Sequence, residues 1–327
     1  MKAVVYRAYG APDVLHLEQR RVPVPKVNEI LVRVAAAEVT KTDCEMRSFR
    51  FAVSWFWLPL RLVLGVFKPK RTILGGYFSG EVIATGEQVA NFSVGDYIFG
   101  STQLRLGAYG EFLTIPDNYS LVIKPDNVSF EDAAAVPLGG LNALHYLTRA
   151  NIQPGEKVLI IGAGGSIGVF GVQIAKAFGA SVTAVDAPHK EAMLRSIGAD
   201  DFIDYTQIDF SQQDNKYDVI FDMVANKRYT GRVNILNKEG RWLMANPRFS
   251  DMIRSVFTPL FTGKKVWFAF AGEKLEELQR LKTMLERGEI KAVVDKVYSM
   301  EQASEAHEYV EKERRLGSVV ISIGDTK

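Results

Sequence analysis

Three evenly spaced glycines give the strongest chemical signal in this chain of 327 residues. Gly162, Gly165 and Gly168 directly follow the apolar run at 158–161. Glycines between a buried strand and a helix allow a tight turn, a close backbone approach to a pyrophosphate and tight helix–strand packing. The N–H groups at the start of that helix attract phosphates. We therefore predict a dinucleotide site with these contact residues: Gly162, Gly164, Gly165, Ser166, Ile167 and Gly168. The alternative is that the glycines serve only a tight turn.

Asp186 ends the next predicted strand and bears on which dinucleotide is bound. A carboxylate at this position commonly accepts hydrogen bonds from the ribose 2′-hydroxyl, which favours NAD slightly over NADP. His189 and Lys190 follow closely, however, and their cations could meet a 2′-phosphate. NADP therefore stays open, as does the alternative that Asp186 only caps the next helix.

These residues require a segment in which strands and helices alternate. Uninterrupted apolar runs predict strands buried on both faces of a sheet, and the 3.6-residue pattern predicts helices between them. The predicted strands are 158–161, 181–185, 218–221 and 241–245, and the predicted helices are 166–178 and 189–197. Alternation at this spacing predicts an α/β fold with a doubly wound parallel sheet.

The residues on either side of this segment have a different character. Residues 1–120 read as short strands separated by turns, and the C-terminal part mixes helices and strands. We therefore predict a dinucleotide-binding domain at 122–270, inserted into a mostly-β domain formed by 1–121 and 271–327.

Composition limits the other classes of function. The chain has 40 Lys and Arg against 38 Asp and Glu, and without a basic block we expect no nucleic-acid partner. The single cysteine, Cys44, excludes an internal disulfide and any zinc site that needs two thiolates. The N-terminus shows no signal-peptide pattern, so we expect a cytoplasmic location.

The apolar stretch 51–67 allows two interpretations. Pro59 and Arg61 interrupt it, so it does not resemble a membrane-spanning helix. Either it is a flap whose Trp55 and Trp57 wall an apolar substrate pocket, or it makes a peripheral membrane contact through those aromatic residues.

Several motifs along the chain support a family resemblance. They are Gly80-Glu-Val-Ile-Ala-Thr-Gly86, Val94-Gly-Asp-Tyr-Ile-Phe-Gly100, Gly107-Ala-Tyr-Gly-Glu-Phe112, Ala133-Ala-Ala-Val-Pro-Leu138, Gly198-Ala-Asp200 and Gly317-Ser-Val-Val320. With the glycine loop, they resemble the medium-chain dehydrogenase/reductase superfamily, specifically its zinc-free quinone oxidoreductase-like branch. The resemblance implies a Rossmann domain inserted in a GroES-like catalytic domain, and a homodimer.

The resemblance also bears on metal. Zinc enzymes of this superfamily carry a Cys where this chain has Thr40, and a Gly-His-Glu motif where it has Gly75, Gly76 and Tyr77. Catalytic zinc needs about three protein ligands, and these are missing from the matching positions. We expect no metal site.

The activity implied is hydride transfer from NAD(P)H to a quinone or an α,β-unsaturated carbonyl, a small hydrophobic acceptor that needs no Lewis acid. Tyr77 is a candidate proton donor to the acceptor, although it could instead only pack in the pocket wall. Thr40 is better suited to hydrogen-bond the nicotinamide ribose. Asn142 stands near the nicotinamide, where relatives usually carry Thr. The alternatives are a metal-free alcohol or aldehyde oxidoreductase and a non-catalytic dinucleotide-binding module that docks at membranes through 51–67.

Overall fold

The computed structural model describes residues 1–51, 57–224, 229–268 and 272–324. These residues form two compact units, which we call unit 1 (1–51, 57–138 and 273–324) and unit 2 (139–224, 229–268 and 272). Trp55, one of the predicted pocket residues, lies outside the described residues.

The N-terminal part of unit 1 consists mainly of short strands. Its elements are β1 (Lys2–Val5), β2 (His16–Gln19), β3 (Glu29–Glu38), α1 (Lys41–Ser48), α2 (Trp57–Leu64), β4 (Tyr77–Thr85), β5 (Tyr97–Ser101), β6 (Phe112–Pro116), β7 (Leu121–Ile123) and α3 (Phe130–Ala134). Strand β3 is the central partner, because it pairs antiparallel with both β4 and β6.

Unit 2 alternates strands and helices. The elements from the unit boundary onward are α4 (Val136–Ala150), β8 (Lys157–Ile161), α5 (Ser166–Ala177), β9 (Ser181–Asp186), α6 (Glu191–Ser196), β10 (Asp201–Asp204), β11 (Tyr217–Asp222), α7 (Tyr229–Asn234), β12 (Leu236–Met244), α8 (Phe249–Thr262) and β13 (Lys265–Phe268). The strands form a parallel sheet in the order β10-β9-β8-β11-β12-β13, so the chain runs outward from β8 to β10 and then crosses back to place β11 on the other side of β8. This is the predicted doubly wound sheet, and the predicted fold class is confirmed.

The C-terminal part returns to unit 1. It adds α9 (Leu275–Glu286), β14 (Val294–Ser299), α10 (Ala303–Glu311) and β15 (Ser318–Ser322). Strand β15 pairs antiparallel with β3, which joins the two ends of the chain in a sheet of order β14-β15-β3-β4-β5-β7. Residues from both ends also share one hydrophobic core, in which Val34 and Leu74 pack with Val319.

The boundary between the units follows residue 138, whereas the sequence placed it after 121. Helix α3 explains the difference, because Ala134 packs in one cluster with Ala36 of β3 and Val320 of β15. The Ser79 hydroxyl also donates a hydrogen bond to the Phe130 carbonyl oxygen at 2.6 Å. Buried contacts thus hold α3 in unit 1.

The stretch 51–67 is helical where it is described. Helix α2 covers Trp57–Leu64, so Pro59 is its third residue. Gly65 follows with φ of 131°, a conformation that favours glycine. No helix among the described residues combines the length and apolar character needed to cross a bilayer.

Candidate functional site

The glycine loop joins β8 to α5. Backbone angles and contacts within the protein explain why most of its glycines are glycine. Gly162 has φ of 82°, and a side chain at Gly168 would clash with the carbonyl oxygens of Gly162 and Ala163. At Gly164, a side chain would run into Lys190. These three positions therefore require glycine for turning and packing alone.

Gly165 differs from its neighbours. It caps the N-terminus of α5 with φ of −91°, which any residue can adopt. A Cβ added there would contact only the Gly162 carbonyl oxygen, at an ordinary 3.8 Å. Nothing within unit 2 demands glycine here, yet its absence of a side chain leaves open space at the positive end of a 12-residue helix. Such a cradle suits an anionic pyrophosphate. The next two predicted contact residues differ in exposure, since Ser166 is buried and Ile167 is partly exposed.

Asp186 is tied to the same loop. Its Oδ2 accepts a hydrogen bond from the Gly164 N–H at 2.7 Å, and its Oδ1 accepts one from the Ala187 N–H at 2.8 Å. The Lys190 ammonium lies 3.2 Å from Oδ1, and both side chains are buried. Asp186 therefore orients the loop while its charge is balanced by Lys190.

Two further polar residues of unit 2 are Asn142 and Asp222. Asn142 lies on α4 and is partly exposed. Asp222, at the carboxyl end of β11, accepts hydrogen bonds from the Val224 N–H at 3.0 Å and the Arg232 Nε at 3.3 Å. Burial raises the pKa of Asp222 even though Arg232 favours its charged form. These bonds give Asp222 a structural role.

In unit 1, Thr40 caps helix α1 and is buried. Its hydroxyl donates to Asp43 Oδ2 at 2.6 Å and accepts from the Asp43 N–H at 3.0 Å. Asp43 Oδ1 accepts a further bond from the Gly75 N–H at 3.1 Å, so one carboxylate fastens the two loops that carry Thr40 and Tyr77. Burial raises the pKa of Asp43 against the lowering effect of these hydrogen bonds.

A buried polar chain lies beside Asp43. The Tyr109 hydroxyl is 3.2 Å from His307 Nε2, and Cys44 Sγ is 3.4 Å from His307 Nδ1. Burial lowers the pKa of His307 to about 3, and it raises the pKa of the Cys44 thiol far above its ordinary value. The group is neutral at physiological pH, so Cys44 is not a nucleophile here. The sequence offers no signal for this arrangement, because His307 lies on α10, far along the chain.

Tyr77 opens strand β4, and its hydroxyl donates to Glu273 Oε1 at 3.0 Å. Burial first, and then the charge of Glu273, raise the pKa of Tyr77 well above its ordinary value. The phenol therefore keeps its proton. Sequence reasoning missed Glu273, which precedes α9 and carries no recognisable motif. Beside Tyr77, a Cβ added at Gly76 would meet no atom within 4 Å, so there is open space at this position.

Trp57, the described member of the predicted aromatic wall, is half-exposed on α2. Its ring meets Phe49 edge to face at 6.0 Å between centroids. Arg61 turns inward, with its guanidinium 4.2 Å from the Phe49 ring centroid and 4.5 Å from that of Tyr9. The helix is thus held to unit 1 partly through a cation over aromatic rings.

Metal ligands are not gathered in the described part of the chain, where no three His, Cys, Asp or Glu side chains stand close enough to hold an ion. Thr40 and Gly76, the positions that match zinc ligands in relatives, carry no thiolate or imidazole.

Comparisons with known proteins agree with this architecture. Residues 26–126 match the family described as alcohol dehydrogenase GroES-like domain, and residues 197–321 match the family described as zinc-binding dehydrogenase. The 2-methylene-furan-3-one reductase of Solanum lycopersicum is 31% identical over 98% of this chain and 79% of its own length. The NADPH-dependent alkenal/one oxidoreductase of Arabidopsis thaliana, a chloroplast protein, is 29% identical over the same shares of the two chains.

Among solved structures, the quinone oxidoreductase from Coxiella burnetii superposes with a TM-score of 0.87 at 26% identity. The match covers 99% of each chain, so both units and their order along the sequence are shared. Together with the glycine loop and the interrupted unit 1, these matches confirm the resemblance seen in the motifs. The chain belongs to the medium-chain dehydrogenase/reductase superfamily, in its quinone oxidoreductase-like branch.

Proposed function

We propose that the protein is an NAD(P)H-dependent oxidoreductase that transfers a hydride to a quinone or an α,β-unsaturated carbonyl. The observation that carries this proposal is Gly165, the loop position that is open without any internal need for glycine. The relatives support the acceptor class, because their names specify a furanone, alkenals or enones, and quinones.

The residues of the glycine loop fit a nicotinamide dinucleotide, which when bound supplies the hydride. Gly165 and the first turn of α5 would hold its pyrophosphate, and Asp186 would accept a ribose hydroxyl on the lone pair of Oδ2 that Gly164 does not use. Asn142 would lie toward the nicotinamide. We further propose a preference for NADH, because Lys190 is buried and neutralised by Asp186 rather than directed to solvent.

On the acceptor side, unit 1 contributes a proton and a fixed geometry. Tyr77 would exchange its hydrogen bond from Glu273 to the acceptor oxygen and then hydrogen-bond or protonate that oxygen. The remaining lone pair of the Thr40 hydroxyl would accept a hydrogen bond from the nicotinamide ribose, while Asp43 keeps the hydroxyl fixed. Trp57 would offer an apolar surface to a flat acceptor ring.

Zinc has no role in this proposal, because Thr40 and Gly76 cannot ligate as Cys and His do. By family resemblance we also propose a homodimer, and we separately propose a cytoplasmic location. The stretch 51–67 acts in this proposal as a pocket wall, and its alternative role is a peripheral membrane contact through its aromatic residues.

A steady-state screen tests the proposal. NADH and NADPH are each offered with a small quinone, a bulky quinone, an enone, a simple ketone and an aldehyde, and elemental analysis of the same sample measures zinc. We expect oxidation of the cofactor with quinones or the enone, and no stoichiometric zinc. Turnover of only the ketone or aldehyde would favour the alcohol dehydrogenase alternative, and cofactor binding without any turnover would favour the non-catalytic module.

A further inference from the structure

The polar chain beside Asp43 in unit 1 contains groups that the proposed function does not use. Asp43, Cys44, Tyr109 and His307 are each at most 2% exposed, and we call these four residues the buried chain. Cys44 and Tyr109 lie in the same hydrophobic core as Leu74. Burying polar groups in such a core costs free energy unless they are hydrogen-bonded, and a fully paired network fixes the orientation of each member.

The carboxylate of Asp43 is the acceptor at one end of the buried chain. It accepts hydrogen bonds from the Thr40 N–H at 3.0 Å, from the Thr40 hydroxyl at 2.6 Å and from the Gly75 N–H at 3.1 Å. Burial raises the pKa of Asp43, and a hydrogen bond from Tyr109 is among the contacts that lower it. A carboxylate has about four lone-pair sites, so these donors saturate it.

The direction of the remaining bonds follows from that end. Because the Tyr109 proton points to Asp43, the Tyr109 oxygen must accept from His307 Nε2, which lies 3.2 Å away. His307 therefore carries its proton on Nε2, and its Nδ1 can accept from the Cys44 thiol at 3.4 Å. Burial lowers the pKa of His307 to about 3, so this neutral form persists at physiological pH. Each group thus donates to the next, and the chain ends on Asp43.

The Tyr109 ring is held in place by contacts other than His307. The Tyr109 N–H donates to the Leu74 carbonyl oxygen at 3.1 Å, and a Cβ added at Gly75 would lie 2.7 Å from the ring. A phenol proton, however, can rotate about its C–O bond. The His307 N–H removes that freedom, because it occupies a lone pair of the oxygen and leaves the proton for Asp43.

We propose that His307 is a positioning residue for Thr40. By directing the Tyr109 proton to Asp43, it keeps the carboxylate in the orientation that accepts the hydrogen bond from the Thr40 hydroxyl. The Thr40 hydroxyl then presents only a lone pair, which suits a ribose hydroxyl that donates. The inference rests on the proposed contact of Thr40 with the nicotinamide ribose, and it adds a residue of α10 to those that serve this contact.

The binding of two ligands to the full chain tests this role. In the proposed function NADH contacts both the glycine loop and Thr40, whereas ADP has no nicotinamide ribose and contacts only the loop. Calorimetry gives the ratio of the two affinities. In His307→Met, which has no donor, we expect NADH to bind about tenfold more weakly and ADP to bind as before, because an orienting hydrogen bond is lost.

Two further variants distinguish positioning from packing. His307→Gln carries an amide N–H at about the place of Nε2, so it should restore the ratio. Tyr109→Phe should weaken NADH binding as His307→Met does. Adding His307→Met to Tyr109→Phe should then have no further effect, because the influence of His307 passes through the Tyr109 hydroxyl.

Val310→Ala is the matched control, because Val310 is buried on the same helix but lies in the apolar core. It should lower the free energy of unfolding and leave the ratio of affinities unchanged. An unchanged ratio in His307→Met would overturn the proposal, as would additive effects in the double variant or an equal loss in Val310→Ala. Should His307→Met not fold, an unchanged ratio in Tyr109→Phe would overturn it as well.

The proposed function fails by a different result. If the unaltered protein binds NADH but oxidises it with no quinone or enone, the activity is refuted. The ratio of NADH to ADP affinity still tests His307 in that case, because it depends on binding and not on turnover.

Discussion

The glycine loop of unit 2 offers open space above Gly165, whereas the candidate hydroxyls of unit 1 already have partners in neighbouring side chains. The Thr40 hydroxyl donates a hydrogen bond to Asp43, and the Tyr77 hydroxyl donates one to Glu273. A ligand can enter the first region without displacing any bond. In the second region a reacting acceptor must replace an existing hydrogen bond. The cofactor side is thus preformed, and the acceptor side works by exchange of partners.

The largest effect is expected when a side chain fills the open space at Gly165. Gly165→Val should weaken dinucleotide binding by roughly 1,000-fold or more, because the added side chain occupies the position proposed for the pyrophosphate. Isothermal calorimetry with NADH measures it. Gly324→Val is the matched control, since a Cβ there meets only Val34 at 3.5 Å in unit 1. Unchanged affinity in Gly165→Val would show that the pyrophosphate lies elsewhere.

The exchange of partners on the acceptor side is tested by Tyr77→Phe. Loss of the phenolic proton should lower kcat about 100-fold, with the KM for the nicotinamide nearly unchanged. Tyr97→Phe, which removes a half-exposed hydroxyl from β5, should leave kcat as it is. If Tyr77→Phe retains full kcat with quinone and enone acceptors, Tyr77 only packs in the wall.

Trp57 sharpens the comparison by probing apolar contact instead of proton transfer. Trp57→Ala should raise the KM for bulky hydrophobic quinones about 20-fold, and far less for small ones, because a partly exposed aromatic surface is lost. Phe67→Ala, in the same stretch, serves as the control. Equal effects on large and small acceptors would contradict the pocket role.

Asp186→Ser tests the choice of cofactor. Removing the carboxylate frees Lys190 and should move the ratio of kcat/KM about tenfold toward NADPH, since the cation can then meet a 2′-phosphate. Asp186→Asn removes the charge but keeps an oxygen that can accept the hydrogen bond from the Gly164 N–H. It therefore distinguishes the effect of the charge from the effect of holding the loop. The gain should vanish in Asp186→Ser/Lys190→Met, and an unchanged preference would place the ribose away from Asp186.

The smallest expected effect concerns the stability contribution of His307, which is buried in unit 1. His307 has a folded pKa of about 3 against an ordinary value of 6.5, so the unfolded chain binds more protons between these values. Stability therefore falls as the pH drops through this window. Between pH 7 and pH 6 the contribution of His307 is about 0.7 kcal/mol.

Urea unfolding at both pH values measures this contribution. His307→Gln should flatten the dependence by that amount, while Tyr109→Phe should lower stability at both pH values and keep the slope. A slope that His307→Gln leaves intact would mean that another group titrates.

The local part of the architecture could be predicted from the sequence. Strand β8, the glycines and helix α5 are consecutive, so their order alone indicates the loop. By contrast, the partners of Tyr77 and Tyr109 lie 196 and 198 residues away, and nothing in the residue types pairs them. Such contacts depend on the completed sheet of unit 1.

Helix α8 shows a different limit. Its apolar residues recur at helical spacing and Gly263 marks its C-terminus, but Pro259 stands inside it and no capping side chain marks its start. Periodicity also cannot tell which face meets the protein, and here the usual assumption would be wrong because Asp251 and Ser255 are the buried residues. The sequence analysis treated Pro59 as an interruption of the stretch 51–67 and therefore did not predict α2. A proline is compatible with the first turn of a helix, and Pro59 lies there.

The pairing of β15 with β3 has a consequence for biosynthesis. The residues of unit 2 leave the ribosome before α10 and β15 exist, so the parallel sheet can form while residues 36–38 of β3 still lack their partner β15 and Tyr109 still lacks His307. Domains commonly fold as they emerge. The newly made chain therefore carries an unpaired end of β3 until its last residues arrive. Premature termination near the C-terminus would leave a folded cofactor domain attached to an aggregation-prone remainder.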